Sequence, residues 1–95
     1  ETPLMRAGAS GHVQMVSMLL ARGADPVVTS SCGLTALMFA ACYDGRRGSD
    51  HAGVIRLLLE DGRVAVEARD RTGCTALWWA CSMGYPERAR MLLLE

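Results

Sequence analysis

Ninety-five residues, half of them hydrophobic but only five aromatic, carry ten arginines against ten acidic side chains. That length makes at most one domain and leaves a single compact core marginal. The balanced charge argues against a nucleic-acid or anionic-membrane partner, and no apolar run approaches the ~20 residues that span a bilayer.

Thr2-Pro3-Leu4 reads as a helix start. The Thr hydroxyl can cap the first turn, and Pro3 follows where its missing N–H costs nothing. The stretch Ala7-Gly8-Ala9 runs to a break at Gly11-His12. Met15, Val16, Leu19 and Leu20 then fall on one side of a second helix. That helix closes at Gly23, as a C-terminus favours a residue tolerant of positive φ. Thr35-Ala36-Leu37 begins the same order again, through Ala40-Ala41-Cys42, the stripe Val54, Ile55, Leu58 and Leu59, and Gly62. Thr75-Ala76-Leu77 begins it a third time, through Ala80-Cys81-Ser82, Gly84-Tyr85, Ala89, Leu92 and Leu93. In this third unit Arg88 stands where an apolar residue is expected. The openings lie 33 and 40 residues apart, so the second unit is seven residues longer than the first. His12 and His51 are offset by 39, which puts six of the extra residues between that unit's two helices, within 42–50. The seventh falls near 62–67.

Self-similarity at such a period marks a repeat architecture. The order Thr2-Pro3-Leu4, Gly11-His12, Leu19-Leu20 and Gly23-Ala24-Asp25 resembles the ankyrin repeat, as do Gly33-Leu34-Thr35-Ala36-Leu37 and Asp70-Arg71-Thr72-Gly73-Cys74-Thr75. The resemblance implies an all-α solenoid of stacked helix-turn-helix units joined by β-hairpin-like loops. Repeat 1 covers about 1–32, repeat 2 about 33–72 with an inserted loop near 43–50, and repeat 3 about 73–95, truncated. The family's His after T-P-L is replaced by Met5, Met38 and Trp78. In the family that His helps to fix neighbouring hairpin loops, so these loops are expected to be tied down otherwise. Both ends of the sequence cut through a repeat, and Met91-Leu92-Leu93-Leu94 is a poor solvent-facing terminus, so an excerpt from a longer array is expected.

The resemblance also places partner binding on the hairpin tips and the exposed side of each first helix. The tips supply Ser31, Cys32, Leu34, Arg71, Thr72 and Cys74. The position after the family His holds Arg6, Phe39 and Trp79, which stacking would align on one concave face. Aromatic and Arg side chains are favoured interface anchors; the competing reading packs Phe39 and Trp79 into the core. Trp78 and Trp79 cannot point the same way on a helix, so one of them should face outward. Tyr43 and Met83 extend the surface, unless they merely end their helices. Arg46 and Arg47 could clamp a carboxylate or phosphate. Arg46-Arg47-Gly48-Ser49 also resembles a basophilic-kinase substrate site, with Asp50 unfavourable after it; a solvated linker is the plainer reading.

Catalysis finds little support. His12 and His51 occupy equivalent places in separate repeats, too far apart for one metal ion, and each is expected to make a local hydrogen bond at the start of its second helix. The four cysteines have no C-x-x-C pair, no zinc-finger spacing and no nearby His to activate a thiolate. Reduced thiols in a cytosolic chain are favoured. The combined expectation is a cytoplasmic, non-enzymatic protein-binding module without cofactor or metal, with no nucleic-acid partner and no membrane insertion. A structural spacer and a regulatory domain fused to an enzyme are the alternatives.

Overall fold

The computed structural model describes residues 2–45 and 47–94; Arg46 lies outside the described residues. Six helices follow in order: α1 (Pro3–Ser10), α2 (Val13–Ala21), α3 (Ala36–Cys42), α4 (His51–Asp61), α5 (Ala76–Met83) and α6 (Pro86–Leu93). No strand occurs among the described residues, and no helix there is long and apolar enough to cross a membrane.

The first helix of each pair begins as the sequence dictates. Thr2, Thr35 and Thr75 each accept a hydrogen bond at the side-chain oxygen from the backbone N–H three residues on, those of Met5, Met38 and Trp78. In α1 the Met5 sulfur answers by accepting from the Thr2 N–H.

Helices α1, α3 and α5 pack side by side in one layer, and α2, α4 and α6 in a second. The middle pair is therefore flanked on both sides, and all seven residues of α3 are buried. Residues 36–41 belong to one buried cluster with Leu4, Met5, Val16, Val54, Ile55, Leu58, Ala80 and Leu92. Equivalent positions differ only in what lies beside them. Met5 and Met38 are each 1% exposed, but Trp78 at the same place is 50% exposed, since among the described residues α5 has a neighbour in its layer on one side only. At the opposite end Met15 is exposed where Val54 is fully buried.

The two hairpin tips are turns closed by two backbone bonds each, Ser30 N–H to Leu34 O with Gly33 N–H to Ser30 O, and Asp70 N–H to Cys74 O with Gly73 N–H to Asp70 O. Ser30 and Asp70 also accept at their side chains from backbone N–H groups of their own turns. Arg71 N–H donates to Cys32 O and ties the second tip to the first. These bonds hold the tips in place without the family's His.

The histidines depart from the sequence expectation. His51 Nε2 does not bond locally but reaches Ala9 O across the repeat boundary, at 2.7 Å. His12 is exposed and caps nothing. The difference goes with what each ring can reach: His51 lies against the end of α1, a helix of the preceding repeat.

Candidate partner-binding groove

Two of the three helix pairs turn sharply, through Gly11-His12 and Gly84-Tyr85, whereas eight residues, 43–50, separate α3 from α4. The long segment changes the chemistry at the end of α3. Helix α1 ends on Gly11 and α5 on Gly84, both at positive φ (72° and 79°), and the compact turn returns backbone N–H groups to the last-turn carbonyls. Helix α3 instead ends on Tyr43 in extended conformation, with one weak return bond to Phe39 O. Its remaining carbonyls sit inside the stack and need another donor.

Arg88 of α6 is that donor. The side chain is buried, and its Nη1 lies 2.5 Å from Tyr43 O, 3.2 Å from Ala40 O and 3.4 Å from Ala41 O. The guanidinium also stacks on the Tyr85 ring, 3.8 Å from its centroid. Tyr85 in turn donates its hydroxyl to Asp44. Burial pulls the Arg88 pKa below the usual arginine value, opposed by Tyr85, Cys42 and Asp44. The negative end of the α3 dipole and three carbonyl oxygens offset the cost of desolvating the charge. The far end of the long segment is held by the first repeat, where Asp50 N–H donates to Gly11 O. Tyr43, Asp44 and Asp50 thus tie the segment to the repeats on either side.

The segment walls one side of a groove of about 860 Å³ that runs across α1, α3 and α5. Seven residues singled out from sequence line it: Arg6, Leu34, Phe39, Tyr43, Arg47, Trp79 and Met83. Their exposure sorts them. Tyr43 and Met83 are 46% and 47% exposed and Trp79 is half-buried, so all three present apolar surface. Phe39 differs from the expectation of an outward anchor. Its ring is 3% exposed, because the middle helix is covered on both sides, and it forms the floor under Tyr43 at 5.5 Å between centroids. Trp79 stands edge-on to Trp78 at 5.2 Å, and its Nε1 donates to Asp70 Oδ2 at 2.9 Å. Asp70 is the hub of its tip. Cys74 N–H foremost, with Thr72 and Trp79, holds the carboxylate down to about 2.

Of the tip residues only Leu34 reaches the groove. Ser31, Cys32, Arg71 and Thr72 are exposed, and Cys74 is half-buried with its sulfur accepting from the Thr72 hydroxyl. Sequence reasoning missed Ala9, Ser10, His12, Asp44 and Ser49 in the lining. Of these His12 and Asp44 were legible in principle as exposed neighbours of breaks; the others enter through the path of the long segment. Cys42, also in the lining, has its thiol pushed up to about 11 by burial, which favours the protonated form. Among the described residues no three His, Cys, Asp or Glu side chains gather to hold a metal.

Comparison with known proteins agrees with this architecture. The chain is 41% identical over 97% of its length to the Caenorhabditis elegans "Ankyrin repeat and KH domain-containing protein mask-1", of which it covers 3%. Identity is 39% over 99% of the chain to "Ankyrin repeat and KH domain-containing protein CBG24701" of Caenorhabditis briggsae, again 3% of that protein. It is 38% to the "Probable E3 ubiquitin-protein ligase XBOS33" of Oryza sativa subsp. japonica, over 99% of the chain and 17% of the relative. The chain therefore spans a small fraction of these relatives. The family model for ankyrin repeats, in three copies, matches residues 4–95, and with two helical layers in register behind that match, the chain belongs to the ankyrin-repeat family.

Proposed function

We propose that the chain seats a segment of a partner protein in the groove across α1, α3 and α5, with the hairpin tips flanking it. Ankyrin repeats are non-catalytic protein-interaction modules; the finer reading concerns where this one binds. The observation that carries it is the convergence of Tyr43, Trp79 and Met83, from two repeats, on one concavity. Its volume of about 860 Å³ falls within the ~300–1,000 Å³ typical of binding pockets. A cytoplasmic setting goes with the proposal, because the exposed thiols Cys32 and Cys81 suit a reducing compartment. A second reading, in which the array serves an enzyme on the same polypeptide, is supported by the name of the rice relative.

The test uses peptides selected from a random displayed library on the chain. Trp79→Ala and Met83→Ala should each weaken the selected peptide tenfold or more, as interface anchors do, while Arg22→Ala at the end of α2 leaves it unchanged. Loss on Arg71→Ala with groove variants intact would move recognition to the tips. A chain yielding no groove-dependent peptide fits a spacer instead.

A further inference from the structure

Arg88 and Tyr85 lie outside the groove lining, yet both act on its wall. Two observations join here. Arg88 replaces the apolar residue that the repeat pattern calls for, Val54 in the second unit, and it does so in the repeat that follows the long segment. Its contacts fall on the root of that segment, at Ala40, Ala41 and Tyr43, while its Tyr85 stacking partner takes Asp44. A compact turn, as after α1, returns backbone N–H groups to carbonyls of the last turn, and there a histidine completes the set without a buried cation.

We propose that Arg88 and Tyr85 are positioning residues for recognition, holding the root of the segment at Tyr43 and Asp44 as a pre-formed wall so that the partner meets Tyr43, Asp44 and Arg47 already in place. This rests on the groove reading above. An unlatched wall samples other arrangements, and the apparent affinity falls by the fraction of chains whose wall is in place. The latch couples recognition in the second repeat to the integrity of the third. A change in the third repeat is thereby felt in the second-repeat wall of the groove without touching the partner.

Tyr85→Phe is the sharpest variant, because it keeps the ring under Arg88 and deletes only the hydroxyl that holds Asp44. Arg88→Lys is the second, since an ammonium keeps the charge but cannot stack and reach three carbonyls together. Two measurements are made on each. Hydrogen exchange followed by mass spectrometry should show the backbone of 43–50 exchanging at least fivefold faster, with α1 and α5 unchanged. The probe for binding is a library-selected peptide that has already lost tenfold affinity on Trp79→Ala and on Met83→Ala; it should lose a further threefold or more on Tyr85→Phe. Unchanged exchange in 43–50 overturns the latch whatever the peptide does. Faster exchange with unchanged affinity overturns the positioning role and leaves the groove intact. If no peptide responds to Trp79→Ala and Met83→Ala, the groove reading itself fails, and the inference with it.

Discussion

The two junctions between neighbouring repeats solve one problem in different ways. At the first, α1 ends on an αL glycine, and the compact turn satisfies the last carbonyls with backbone N–H groups. One further carbonyl, Ala9 O, is taken by the ring of His51. At the second, the long segment removes the glycine cap, and the donor is a buried arginine from the next repeat. Helix ends inside a stack cannot turn to water, so a lengthened connection there has to be matched by a polar side chain elsewhere in sequence. Departures from a repeat pattern then come in pairs, an insertion in one unit and a polar replacement in the next.

The largest break of this comparison is Arg88→Met. It fills the space but leaves the α3 carbonyls without a donor, and it should cost roughly 2–4 kcal/mol, read from the urea midpoint. A midpoint within error of wild type would mean the carbonyls have other partners. Next come two glycines at equivalent turns. A Cβ at Gly11 would lie 2.7 Å from His51 Nδ1, whereas one at Gly84 meets nothing within 4 Å. Gly11→Ala should therefore cost about 2 kcal/mol and Gly84→Ala about 1, the latter for positive φ alone. Equal costs would show that the first junction yields easily.

Smaller effects follow from titration. Burial holds the His51 pKa below its ordinary value, the bond to Ala9 opposing less strongly. The unfolded chain therefore takes up the proton first. Stability is full above the unfolded value near ~6.5 and declines as pH falls below it. His51→Gln should flatten that decline in urea titrations between about pH 7 and 5. At the second tip the sign is set by a carboxylate. Asp70 sits at about 2 when folded, against an ordinary 3.8. Its contribution is present above that ordinary value and is lost as pH falls toward the folded one. Asp70→Asn should remove this acid-range loss, and a Trp79 fluorescence change with the same midpoint would place it at the Trp79 bond.

The fold was legible because its signals are local or strictly repeated. Each Thr cap is decided within four residues, and each aliphatic stripe within one helix. What the eye could not take from the chain depends on neighbours far along it. Arg88 was visible as an anomaly, but its carbonyl partners lie 45 to 48 residues earlier, and His51 reaches back 42 residues to Ala9. Phe39, Arg6 and Trp79 hold one register position, and the structure does set them along one groove. Register says which residues share a row; how deeply each lies depends on its place in the stack. That is why Phe39 is floor while Trp79 keeps part of its ring in solvent. Trp78 follows the same logic at the edge.

The segment joining α3 to α4 is anchored at Tyr43 and Asp44 and again at Asp50, so an insertion between those anchors leaves both in the chain. Lengthening a flexible connection is cheap, on the order of 0.6 kcal/mol for each doubling. Randomised stretches grafted between Gly45 and Gly48 should leave the helical layers standing while reshaping one rim of the concavity. Such a chain would work as a display scaffold whose specificity is rewritten at a single place.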